Sequence, residues 1–303
     1  MKPVNLVVVG SIGIDTIETP EVRKQDILGG SVSYACAAAS FFARTGMVGV
    51  VGADFPEAFM AVYKDFEIDL QGLQTRAGKT FRWAGVYEKD MNNRRTISTD
   101  LNVLASFMPE LPPAYTRAPF LFLGNISPEL QLHVLSQAKA VRFVAADTMD
   151  LWINISRAPL MEVIAAVDLL TLNESEARLL THENNLVKAA RIILNWGPRY
   201  VIIKKGEHGA ILFSASGICV VPAFPLESVL DPTGAGDTFA GGLMGALSEG
   251  GEVSESLIRR AMAYGSVAAS FGVEAFSLDR LRQLTRHDIE HRFDAFRSLT
   301  QIG

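Results

Sequence analysis

Val229-Leu230-Asp231-Pro232-Thr233-Gly234-Ala235-Gly236-Asp237-Thr238-Phe239-Ala240-Gly241-Gly242 is the stretch from which the rest of the chain is read. A short apolar approach ends at Asp231-Pro232, where the proline interrupts regular structure. Gly234-Ala235-Gly236 has no bulk to keep a ligand off its backbone, and residues 237–247 read as helix. A glycine turn feeding a helix start leaves N–H groups unpaired, and the helix dipole adds partial positive charge there. The combination suits a phosphate, or a phosphoryl group in transit. Asp237 stands at the mouth of that site and would repel a resting phosphate. It makes sense as a base that takes a proton from a hydroxyl attacking phosphorus. The same spacing also describes an ordinary helix N-terminus with an acidic first turn.

Working outward, the segments before this stretch alternate strand and helix. Residues 120–123, 141–145, 169–172 and 201–204 read as strands; 128–138 and the stretches opening at Asp150 and Asn173 read as helices. Such alternation predicts a parallel, doubly wound sheet with helices on both faces. Residues 4–9 are a β-branched run with the pattern of a buried parallel strand. Asp15 follows it, placed either to meet a ligand or to sit in a loop. Residues 16–27 read as two short strands that leave the core and return at Leu28-Gly29-Gly30, where backbone can approach a ligand closely. Helices are expected at 31–43 and 55–66, a strand at 47–51 and a short connection at 69–73. Residues 79–86 and 96–99 form a hairpin around a polar turn, in which Arg94 and Arg95 read as solvated. Asn173 and Glu176 have capping-box spacing. Lys205-Gly206-Glu207-His208-Gly209 is a turn before a strand at 210–213.

The stretch 231–242 resembles the C-terminal signature of the PfkB, or ribokinase-like, family of carbohydrate and nucleoside kinases, reading D-P-T-G-A-G-D-T-F-x-G-G. The resemblance implies a ribokinase-like three-layer α/β/α fold: a doubly wound, mostly parallel sheet with a small β-sheet lid, built from about 15–28 and 79–100 within one domain, 1–303. It also implies ATP-dependent phosphorylation of a sugar hydroxyl. The alternatives are a nucleoside acceptor, or a non-catalytic binder of sugar or nucleotide. By resemblance Asp237 is the catalytic base, and Gly234, Ala235 and Gly236 form the anion hole. Asp15, Gly29, Gly30, Ser33 and Asn125 fall to the substrate. Asn173, Lys205, Gly206 and Gly209, with Gly234 and Gly236, fall to the nucleotide. Glu176 supports Mg2+, an oxygen-seeking ion that keeps several waters, and Asp231 and Thr233 match positions for a monovalent cation such as K+. The chain departs from the family at Tyr34, where many sugar kinases carry asparagine after Gly-Gly. A tyrosine there either stacks on a ring of the substrate or belongs to the core.

Composition narrows the classes further. Of 303 residues 49% are hydrophobic and 20% charged, which allows a large globular core. A net charge of -5 without a Lys/Arg cluster argues against nucleic-acid partners. No Walker-type glycine loop occurs, which argues against a P-loop enzyme. The start of the chain does not read as a signal peptide, and the apolar run 35–51 is broken by Arg44 and Gly46, so neither export nor a membrane span is expected. Cys36 and Cys219 read as buried thiols, which fits the cytoplasm. His287 and His291 read as a solvated helix face, and the segment after Asp288 is expected to fray. The edges of a lid sheet offer a place for a second copy to pair, so a homodimer is expected.

Overall fold

Leu6–Val9 (β1) is buried at every position because it lies inside a sheet covered on both faces. Leu6 and Val8 enter one core, Val7 and Val9 the other, the alternation of a strand between two layers. The chain leaves through Gly13–Glu18 (β2) and Arg23–Gly29 (β3). It returns through Ser31–Ser40 (α1), Thr45–Gly52 (β4), Glu57–Asp65 (α2) and Asp69–Arg76 (β5). Phe81–Tyr87 (β6) and Arg94–Asp100 (β7) make a hairpin. Then come Phe120–Leu123 (β8), Pro128–Gln137 (α3), Phe143–Asp147 (β9), Asp150–Ile155 (α4) and Arg157–Ala166 (α5). Leu169–Asn173 (β10), Glu174–Thr181 (α6), Leu186–Leu194 (α7) and Tyr200–Lys204 (β11) continue the alternation. Ala210–Ser214 (β12), Gly217–Val221 (β13), Ala235–Glu249 (α8), Glu255–Gly272 (α9) and Arg286–Thr300 (α10) complete it. The computed structural model describes residues 3–301; residues 1, 2, 302 and 303 of the expected domain lie outside the described residues.

The large sheet has nine strands in the order β13-β12-β11-β10-β9-β8-β1-β4-β5. From β11 to β5 all neighbours run parallel, and β12 and β13 turn antiparallel at one edge. Helices α1, α8, α9 and α10 cover one face through Ala35, Leu243, Val267 and Phe293. Helices α3, α5 and α7 cover the other through Val134, Val163 and Ile193. This is a three-layer α/β/α fold of the ribokinase type. A separate four-stranded sheet, β3-β2-β6-β7, is the lid.

Two devices position the site. The parallel strands β9, β10 and β11 end at Asp147, Asn173 and Lys204, on the edge where open α/β sheets meet ligands. Helices α1 and α8 also touch backbone to backbone. A methyl on Gly241 would lie 2.1 Å from the Ala35 carbonyl oxygen, and one on Gly245 would lie 2.8 Å from the Ala39 Cα.

Several expectations need correction. Residues 69–73 are not a connection but the start of edge strand β5, whose half-exposed polar pattern hides its register with β4. Arg94 and Arg95 do not sit in a turn but open β7. Asp15 follows β1 as expected, but it lies within strand β2 rather than in a loop, 3% exposed. The C-terminal segment does not fray before Thr300. Thr285 and Asp288 close a capping box, and Ile289, Phe293 and Phe296 bury one face of α10. Both cysteines are free, Cys36 buried and Cys219 only half-buried on edge strand β13. No helix among the described residues is long and apolar enough to cross a membrane.

Candidate active site

The loop before α8 is built around one carboxylate. Asp231 Oδ1 accepts the Thr233 N–H at 2.9 Å, while its Oδ2 is buried without a partner. The Leu230 and Asp231 amides donate to the Val273 carbonyl at 2.8 and 3.3 Å, tying the loop to the end of α9. Gly234 then turns with φ 73°, and a Cβ there would meet the Tyr34 ring at 2.4 Å. Left-handed backbone and ring contact both demand glycine. Tyr34 is thus the floor under the loop, 2% exposed, rather than an open stacking surface. Its hydroxyl has no hydrogen-bond partner. The Ala235 amide is spent on the Pro232 carbonyl at 3.2 Å, so the amides of Gly236 and Asp237 lead the helix.

Asp237 shares this helix start with three ionisable groups from neighbouring elements. Lys204 Nζ lies 2.5 Å from Asp147 Oδ2, and a methyl on Gly236 would come within 3.2 Å of the same Nζ. Glu176 closes a capping box: its Oε2 accepts the Asn173 amide at 2.7 Å, and its own amide donates to Asn173 Oδ1 at 2.8 Å. Burial, followed by the charge of Asp147, pushes Asp237 up to about 7, against the pull of Lys204 and Arg94. Burial and Asp147 likewise raise Glu176 to about 7. Burial opposes the Lys204 ammonium, yet Asp147, Glu176 and Asp237 outweigh it and raise its pKa.

The opposite wall belongs to the lid. Asp15 is buried with Oδ1 unpartnered, and burial followed by Asp231 raises it to about 7. A methyl on Gly29 would meet its Oδ2 at 1.9 Å, so the Gly29-Gly30 turn is moulded around this carboxylate. Ser33 is fully buried; its hydroxyl donates to the Gly29 carbonyl at 2.8 Å and lies 2.7 Å from the Tyr63 hydroxyl. Its visible task is to hold the turn. Asn125 accepts the Trp152 indole N–H at 2.8 Å and turns its amide nitrogen to Met149 Sδ at 3.0 Å. Phe81 and Trp83 pair in register with Gly13 and Asp15, which puts both rings on the Asp15 face of the lid. The Arg94 guanidinium lies 5.4 Å from the Trp83 ring centre, and its charge reaches Asp15 and Asp237. Among the contacts that dock the lid are Thr233 Oγ1 with Tyr87 Oη at 3.0 Å, Asn92 Nδ2 with Glu207 Oε1 at 3.3 Å, the Ser277 hydroxyl donating to the Leu28 carbonyl at 2.5 Å, and the packing of Ile17 and Tyr87 against Phe276.

The structure therefore gathers Asp237, Gly234, Gly236, Asp231, Thr233, Asn173 and Glu176 along one edge, with Asp15, Gly29 and Gly30 facing from the lid. Lys205 donates its amide to the Gly209 carbonyl at 2.7 Å and shapes the turn with Gly206. The sequence reading missed Lys204, Asp147, Tyr87 and Arg94. The first two had a usable signal, since each ends a parallel strand.

A small separate sheet facing a glycine loop and a partly buried carboxylate at a helix start is the arrangement that the sequence led one to expect of a small-molecule kinase. The model of the pfkB family of carbohydrate kinases matches residues 5–275, and the chain belongs to that family. It is a phosphotransferase. A cytidine kinase of Thermococcus kodakarensis is 32% identical over 257 residues, 83% of this chain and 91% of that protein. The nucleoside kinase of Burkholderia thailandensis, solved with inosine, superposes with a TM-score of 0.78 at 19% identity, covering 96% of each chain. A putative ribokinase II from E. coli, solved with ATP and Mg2+, superposes with a TM-score of 0.79 at 18% identity, covering 96% and 99%.

Proposed function

We propose that the chain transfers the γ-phosphoryl group of ATP to a hydroxyl of a nucleoside. The observation that carries this reading is the pair of aromatic rings, Phe81 and Trp83, on the same lid face as Asp15. A base has a π-face to lay against a ring; a free sugar has none. The Asp15 carboxylate then serves the ribose hydroxyls, as it would in a sugar kinase. Likeness to a cytidine kinase over most of the chain supports the same choice. The second reading, a free pentose, rests on the moulding of Gly29 around Asp15, which requires only a polyol.

Asp237 accepts the proton of the attacking hydroxyl, and its raised pKa near 7 suits a base working at neutral pH. The amides of Gly236 and Asp237 face the phosphoryl group as charge accumulates on it. Glu176 keeps Oε1 outside its capping box, which fits a carboxylate that holds Mg2+ through water. Bound there, the ion neutralises phosphate charge. The orphaned Asp231 Oδ2 fits a monovalent cation such as K+. The exposed edge β7 is where a second copy would pair.

Turnover of ATP should be measured against cytidine, uridine, adenosine and inosine beside ribose and other pentoses and hexoses, with Asp237→Asn as control. We expect a nucleoside to give the highest kcat/KM. Higher kcat/KM for a free sugar would overturn the nucleoside assignment, and equal rates in the control would overturn the mechanism.

A further inference from the structure

We propose that Lys204 is a catalytic residue of the transfer, acting on the oxygen that leaves the γ-phosphorus, and that Asp147 is its positioning residue. This rests on the reading that a nucleoside triphosphate is the donor. Lys204 and Asp147 close β11 and β9, and between them β10 ends at Asn173, the start of the capping box that holds Glu176. The pair therefore bridges the strand ends where phosphates would lie. Its Nζ also stands beside Gly236, at the first turn of α8. Ammonium and helix N-terminus are both positive and disfavour each other. Their juxtaposition makes sense where an anion comes between them.

Stability alone does not explain the pair. Asp147 is 5% exposed and the Lys204 side chain 16%, and burying two ions costs about as much as their attraction returns. One lysine also faces three carboxylates, Asp147, Glu176 and Asp237. A purely structural ion pair needs one. The excess of negative charge holds Nζ at the helix start and leaves it hydrogens to give.

In the transfer, the substrate hydroxyl gives its proton to Asp237, and its oxygen forms the new bond to the γ-phosphorus. The bond from that phosphorus to the β-phosphate oxygen breaks, and its electron pair stays on that oxygen. The Lys204 ammonium donates a hydrogen bond to the oxygen as it becomes negative and remains an ammonium throughout. Asp147 keeps one side of Nζ.

The test uses Lys204→Met, Lys204→Arg and the double variant Lys204→Met/Asp147→Asn. The readouts are kcat, KM for both substrates, and calorimetric binding of ADP and of the nucleoside. We expect Lys204→Met to lower kcat about 100-fold or more, in line with the loss of one donor at a developing anion. ADP binding should weaken about tenfold, nucleoside binding should stay within about twofold, and Lys204→Arg should restore part of kcat. The double variant removes the orphaned carboxylate charge. If the pair were structural, it would recover the lost rate; on this proposal it stays as slow as Lys204→Met. A Lys204→Met enzyme within about threefold of wild type, or a double variant that recovers, overturns the proposal. If Lys204→Met fails to fold, the double variant and Lys204→Arg still decide. A wild type that binds ADP but turns over no acceptor faults the donor-acceptor reading instead, and unchanged ADP affinity in the lysine variants then overturns this proposal separately.

Discussion

The large sheet and the lid both hold polar groups around a substrate, and they do it in opposite ways. Strands β1, β4, β8 and β9 are buried at every residue, whereas β7 is exposed at every residue. The body carries Asp147, Lys204, Glu176 and Asp237 on strand ends and helix starts backed by two cores. The lid carries Asp15, Trp83 and Arg94 on a thin sheet that docks through a few contacts, among them Thr233 with Tyr87 and Asn92 with Glu207. On the proposed function, bond-making falls to the part backed by two cores, and recognition to the sheet whose outer strand β7 is exposed.

The comparison can be broken at four points. Replacing Asp237 by Asn should cost the most, about 10³-fold or more in kcat, with little change in nucleoside binding. In the wild type Asp237 must be ionised to accept a proton, and with its pKa raised to about 7 kcat should fall as pH drops below that value. The raising influences are burial and Asp147; Lys204 and Arg94 oppose them. A flat profile from pH 5 to 8 would remove Asp237 as the base. Next, Arg94→Ala on the lid should lower kcat/KM by about 10- to 100-fold, the range of one charged hydrogen bond, without lowering the melting temperature. A large fall in melting temperature would mean that Arg94 builds the lid rather than serves the site. Third, Trp83→Ala should raise KM for the nucleoside about threefold to tenfold and leave kcat nearly unchanged. If KM is unmoved, the lid does not read the base. The smallest effect concerns stability. An Asp237 carboxyl with a folded pKa of about 7 destabilises the fold once it ionises, a penalty absent at low pH that grows as pH rises to about 7 and then levels off. Asp237→Asn should therefore melt a few degrees higher than wild type at pH 8, with the difference shrinking towards pH 4. Equal melting temperatures throughout would show that the site relaxes around the charge.

The fold was legible where burial is two-sided. Runs such as Phe120–Leu123 and Leu169–Asn173 carry little polar punctuation, and such runs belong to central parallel strands. Edges were harder. Strand β5 is polar on its open side and reads as a connection. Helix α10 reads as a solvated, fraying helix although Ile289, Phe293 and Phe296 already show an apolar stripe. At the site, the anion loop was legible because its chemistry is local in sequence. Lys204 was not, since its meaning lies in side-chain phase: of two adjacent lysines, only one points along the strand end towards Asp147. Arg94 was hidden for another reason. Its partners come from β2, β6 and α8, and nothing in a polar turn announces such distant neighbours. For Asn173 and Glu176 the cap is plain in the structure, and the metal reading can stand beside it.

The backbone contact between α1 and α8 has a consequence of its own. Helix α1 is capped by Gly30 and α8 by Gly234, the turns that the proposed function gives to acceptor and phosphoryl group. On that function the two helices, pressed together through Gly241 and Gly245, are a ruler for the gap between nucleophile and phosphorus. A single added methyl at Gly241, about one turn from Asp237 and touching no reactive group, would lengthen that gap. It would behave in a kinetic assay as an active-site lesion.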